Sequence, residues 1–217
     1  MIKPSLVSIQ PNQNILAHCL NNINHMSLDP LSLHQKYATN GMAYQIVVAH
    51  SQAVTNKALE IAKKFSQIDS DFIYEASMLH DIGVYFVHAP KIFCFGSEPY
   101  LKHTVIGAEI LLKEGLPKHA RVAETHTGVG IDAAEIVANN LPLPVKDYHP
   151  ETLEEKIISY ADLFFSKSKF TDSDLQGLFE PESITEIIQE LARYGQNKVA
   201  IFLSWQQLFE PELGSGN

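Results

Sequence analysis

Apolar residues in this chain recur at spacings of three, four and seven, and nowhere alternate for long enough to suggest a sheet. That periodicity sets the fold class. From Tyr44 to Phe65, Val47, Val54, Ala58 and Ile61 share one face of a helix. A second helix is expected from Asp71, its N-cap, to His80. A third fits His103 to Glu114 and ends at Gly115, while Pro117 suits the first turn of a fourth that reaches His126. Asp132 to Asn139 makes a short helix. Thr152 caps a longer one, with Glu155 placed to complete a capping box and Leu153, Ile157, Ala161 and Phe164 on one stripe. Two amphipathic helices close the chain, at about 181–194 and 196–209. Between these, "VYFVHAPKIFCFGSEPY" breaks the helical pattern and reads as an irregular loop lying over a site. "HTGVGI" is a turn, and the prolines of "LPLPVKDYHP" exclude regular structure. The fold class is all-α.

With 217 residues the chain can bury one sizeable core. No apolar run reaches the length of a membrane-spanning helix, and "MIKPSLVSIQ" lacks the apolar centre of a signal peptide. Cytoplasmic residence is the expectation. Cys19 and Cys94 have neither pairing nor metal spacing, so they read as ordinary thiols in a reducing compartment. A formal net charge of −9 argues against duplex nucleic acid or an anionic membrane as partner. It leaves a small anionic substrate open, because bound metal ions reverse the local field.

"ASMLHDIGVY", residues 76–85, sets an ionisable pair, His80 and Asp81, among Met78, Leu79 and Ile82. Burying a charge is costly unless it is paired or bound to a metal. Four further residues stand at comparable positions. His50 lies inward with Val47 and Val54, and His103 opens the third expected helix. His126 ends the fourth, and Asp162 sits at the edge of an apolar stripe. Taken singly, each has a plainer reading: a core histidine for His50, a first-turn surface residue for His103, a helix-end cation for His126, a solvated carboxylate for Asp162. Jointly, imidazole and carboxylate suit iron, manganese, cobalt, nickel or zinc. Six ligands exceed the need of one tetrahedral ion and match a dinuclear site with one bridging carboxylate.

The segments "AHS", "LHDIG", "KHTVIGAEIL", "ETHTGVGI" and "LEEKIISYADLFFSKS", in this order over residues 40–170, resemble the HD-domain phosphohydrolase superfamily, and within it the HDIG-type members. The resemblance implies a helical bundle with a metal site between its core helices. It divides the chain into an N-terminal helical extension (1–39), the HD domain (40–170) and C-terminal helices packed on it (171–217), as one globular unit. It implies that His50, His80, Asp81 and Asp162 hold one divalent transition metal. His103 and His126 would hold a second, with Asp81 bridging. The pattern is similar to symmetrical dinucleoside-tetraphosphate hydrolases and to cyclic-dinucleotide phosphodiesterases; the GYP motif of the latter is absent.

The chemistry so implied is hydrolysis of a phosphoester or phosphoanhydride of a nucleotide or similar small phosphate compound. A hydroxide held between the two metals would attack phosphorus, with Asp81 and His80 catalytic through metal-bound water. Lys57, seven residues after His50, Thr127 and Gly128, directly after His126, and Lys167 are candidate substrate contacts, with Lys169 a further one. Glu109 reads as solvated or as partner to a ligand histidine. His18, His25, His34, His88, His119 and His149 read as surface or structural, with His88 and His149 the first exceptions to look for. Two other functions fit the same ligand set: a di-iron oxygenase on the HD fold, and a ligand-sensing module with little activity.

Overall fold

The computed structural model describes residues 28–167 and 180–214. The N-terminal extension up to residue 27, with Cys19, His18 and His25, lies outside the described residues, as does Lys169. Helices dominate what is described: α1 (Pro30–Tyr37), α2 (Gly41–Ala62), α3 (Ser70–Leu79), α4 (His103–Lys113), α5 (Pro117–Thr125), α6 (Ala133–Asn139), α7 (Leu153–Asp162), α8 (Ile184–Ala192) and α9 (Gln196–Phe209). No described helix is long and apolar enough to cross a membrane.

Side-chain caps fix most of the helix starts. Asn40 accepts from the Ala43 amide at 2.9 Å, and Asp69 accepts from Phe72 at 3.0 Å. The cap of α3 is therefore Asp69, not Asp71, which falls in the first turn. Both aspartates suit a helix start; the backbone turns in at the earlier one. Thr152 caps α7 through the Glu155 amide at 3.2 Å, but the expected reciprocal bond shifts by one residue: Glu155 Oε2 accepts from the Glu151 amide at 2.7 Å. Complete capping boxes form elsewhere, by Asp132 and Glu135 at the start of α6 and by Ser183 and Glu186 at the start of α8.

The loop after Asp81 is more regular than its composition suggests. Ile82–Phe86 forms a 3-10 turn, and β1 (His88–Ala89) pairs antiparallel with β2 (Cys94–Phe95) in a hairpin whose tip, Phe93, is left-handed. Strands of two residues are too short to display a period of two. The proline-rich connector carries one bridge, Ile131 with Tyr148, and Tyr148 is buried with Ile136 and Leu143.

Two large apolar clusters make up most of the interior, beside the small one around Tyr148. In one, Val54, Ala58 and Ile61 of α2 and Ile157 and Tyr160 of α7 pack on Ile187 of α8 and Phe202 and Phe209 of α9. In the other, Ile46 and Val47 of α2 meet Leu79, Ile82, Val84 and Leu111. Helix α2 is buried in both, so the C-terminal helices share a core with the rest. Gly83 permits a close approach between the turn after Asp81 and α4. A Cβ there would stand 2.1 Å from the His103 carbonyl oxygen and 2.5 Å from the Gly107 nitrogen, so only glycine lets the 3-10 turn lie on α4.

Candidate metal centre

Helix ends deliver most of the site. His80 is the C-cap of α3, and Asp81 follows in a conformation (φ −102°, ψ 13°) that ends the helix and turns its carboxylate inward. His103 opens α4, His126 caps the end of α5, and Asp162 is the last residue of α7. Only His50 comes from mid-helix, on the inward face of α2. His50, His80 and Asp81 are fully buried, and His103 and His126 nearly so.

The six side chains divide around Asp81. Its Oδ2 stands 3.3 Å from His50 Nε2 and 3.5 Å from His80 Nε2. Asp162 Oδ1 closes that group at 3.0 Å from His50 Nε2 and 3.4 Å from His80 Nε2. The other Asp81 oxygen, Oδ1, faces His103 Nε2 at 3.5 Å and His126 Nε2 at 3.6 Å, and those two nitrogens are 3.2 Å apart.

Backbone carbonyls aim three of the rings. His80 Nδ1 donates to Ser77 O at 2.6 Å, His103 Nδ1 to Tyr100 O at 2.6 Å, and His126 Nδ1 to Ala123 O at 2.9 Å. A carbonyl can only accept, so each Nδ1 carries a hydrogen and Nε2 is the atom that faces the cluster. Burial pushes His80 down, but the Asp81 and Asp162 carboxylates outweigh it and raise it. Burial pushes His50 and His103 down to about 4, which keeps them neutral near pH 7. Burial pushes the Asp81 carboxyl up, but the Lys167 ammonium and the surrounding histidines outweigh it and hold Asp81 well below the usual carboxylate range. Asp162 is held down the same way, against its own burial, by Lys167, His50 and His80.

These residues fit a divalent metal. Both Asp81 oxygens and Asp162 Oδ1 are buried and receive no hydrogen bond of good geometry from the described residues. The ligand atoms of His50, His80 and Asp162 lie within 4.8 Å of one another, as do those of His80, Asp81 and His126. Anionic oxygen and neutral imidazole are the donors a transition ion takes.

A cavity of about 1050 Å³ opens beside Asp162, with Lys167, Thr127, Tyr100 and His88 on its walls. Lys167 reaches the centre itself, its Nζ 2.5 Å from Asp81 Oδ2. Gly128 follows Thr127 with φ +61°, turning the chain away after His126. Lys57 is not brought to the site. It pairs with Glu210 at 2.8 Å and lies 3.8 Å from the Phe164 ring centre, because the face it shares with His50 runs on into the α9 packing. Glu109 is exposed. His34 is buried, His119 pairs with Glu75 at 3.1 Å, and His149 pairs with Asp132 at 2.9 Å. Tyr100 was not among the expected site residues. It aims His103 by its backbone and lies against that ring at 4.8 Å.

An all-α bundle that gathers histidines and aspartates from its helix ends around one buried carboxylate defines a helical protein with a candidate metal centre. The family model described as HD domain matches residues 47–166. The chain therefore belongs to the HD-domain family. It is similar to an uncharacterized protein of Methanocaldococcus jannaschii, 38% identical over 140 residues, which make up 62% of this chain and 75% of that one. The tRNA (cytidine(56)-2'-O)-methyltransferases of Picrophilus torridus and Thermoplasma volcanium are each 34% identical over 128 residues, 58% of this chain. The chain spans only 33% and 34% of the length of those two. Among solved structures it is similar to the L. monocytogenes phosphodiesterase PgpH HD domain in complex with cyclic-di-AMP. The identity is 20% and the TM-score 0.47, over 85% of this chain and 88% of that one.

Proposed function

We propose that this protein hydrolyses a phosphoester or phosphoanhydride of a nucleotide or similar small phosphate compound, with two divalent transition-metal ions bound at the six-residue cluster. The observation that carries this reading is the division around Asp81, one carboxylate oxygen facing His50 and His80 and the other facing His103 and His126. His50, His80, Asp81 and Asp162 would hold one ion, and His103, His126 and Asp81 the other. When bound, such a pair supplies an activated water and neutralises charge on phosphoryl oxygens.

The remaining groups orient the substrate. The cavity of about 1050 Å³ is large enough for a nucleotide, since ligand pockets run to roughly 300–1,000 Å³. Lys167 brings a cation to its inner wall, and Thr127 offers a buried hydroxyl that lacks a hydrogen-bond partner among the described residues. The backbone carbonyls of Ser77, Tyr100 and Ala123 aim three of the imidazoles at the cluster. The same ligand chemistry would serve a di-iron oxygenase, and oxygen dependence separates the two.

The test joins elemental analysis of the purified protein to a panel of nucleotides and phosphoesters assayed with and without oxygen. Metal-dependent phosphate release that persists under anaerobic conditions is expected. Turnover that requires oxygen, or a metal-replete protein that cleaves nothing in the panel, would overturn the reading.

A further inference from the structure

Lys167 lies five residues beyond the end of α7, and its side chain returns to the deepest part of the site. The ammonium stands 2.5 Å from Asp81 Oδ2 and 3.0 Å from His50 Nε2, with the side chain 10% exposed. Both of those atoms belong to the ligand group proposed above for the first ion. A metal coordinated by carboxylate or imidazole sits about 2.0–2.2 Å from the donor atom. An ammonium ion-paired to Asp81 Oδ2 and hydrogen-bonded to His50 Nε2 fills that volume, and two cations so close repel strongly in a buried site.

We infer that Lys167 is an internal counter-cation that exchanges places with the first metal ion. In the metal-free protein its ammonium balances the buried Asp81 and Asp162 carboxylates, which would otherwise be uncompensated charges in the core. On metal loading it leaves Asp81 and His50 and turns into the cavity whose wall it already forms. There it presents a positive charge to an incoming phosphoryl group. Metal loading and recognition of an anionic substrate are then coupled through one side chain. The inference rests on the metal reading of the cluster.

The test uses the full chain, stripped with chelator and then titrated with Mn²⁺. An amine-acylating reagent followed by mass spectrometry reads how accessible each lysine is. Lys167 is expected to react slowly without metal and at least about tenfold faster when loaded, as its competent fraction rises. Lys63, 70% exposed, serves as the unchanged control. Lys167→Met should bind the first Mn²⁺ at least roughly tenfold tighter, because the competing charge is gone. Its metal-free form should melt lower while its loaded form does not. Mn²⁺ uptake that leaves Lys167 labelling unchanged would overturn the exchange and spare the metal reading. Failure to take up Mn²⁺ or any other divalent transition metal would overturn both. If Lys167→Met does not fold, labelling of the unaltered chain decides the matter.

Discussion

His34 donates from Nε2 to the Met78 carbonyl at 2.6 Å and accepts the Tyr85 hydroxyl on Nδ1 at 2.8 Å, wholly shut off from water. Burial pushes it down to about 4, against 6.5 for a free histidine. Between those two values the unfolded chain binds a proton that the folded chain refuses. Stability is therefore complete above about pH 6.5 and lost as the pH falls toward 4, by about 3 kcal/mol from this residue. Urea unfolding at pH 7 and pH 4.5 checks this. His34→Gln should show a smaller loss between the two, and an equal loss in both chains would remove His34 as the cause. The ligand candidates were legible as residues because histidine and aspartate are chemically distinctive among apolar neighbours. Tyr100 was not, since what it contributes to His103 is a backbone carbonyl that any residue supplies.

Helix ends, more than helix faces, bring the cluster together. His80, Asp81, His103, His126 and Asp162 all sit where a helix starts or stops, so each position depends on how the ends are packed. Gly83 sets one of those contacts. Gly83→Ala would drive a methyl group into the His103 carbonyl oxygen, 2.1 Å away, and push α4 off the turn that carries Asp81. A cost of about 1–3 kcal/mol is expected, together with weakened metal binding. Gly41→Ala is the control: nothing lies within 4 Å of its added Cβ, and at the first residue of α2 alanine should leave stability unchanged or slightly higher. Thermal melts with metal titrations on the two variants read the difference; equal behaviour would contradict the packing argument. Sequence periodicity foresaw every described helix from α2 onward to within a few residues. It missed the two-residue strands, which are too short to alternate, and the cap at Asp69, since two aspartates stand two positions apart. The lysine seven residues from His50 was misleading for a similar reason. Spacing puts Lys57 on the right face, and only tertiary packing against Glu210 shows that this face has left the site.

At the scale of the molecule, the two large apolar clusters meet along α2, and the site lies where they meet. Helix α2 contributes to both apolar clusters and carries His50 between them. Asp162 reaches the same point from α7, whose other face packs on the C-terminal helices. That arrangement was legible only through the family pattern, because residues far apart in the chain meet here without any local signal. The net charge of −9 is reconciled with an anionic substrate only if cations gather at this seam. The central claim is that Asp81 joins two metal ions, and the ratio of metal to protein tests it most directly. Elemental analysis of the chain saturated with Mn²⁺ and freed of excess should give two ions per chain. Asp81→Ala should lose them along with phosphate release. A saturated ratio of one, or an Asp81→Ala protein that still holds two ions, would contradict the account.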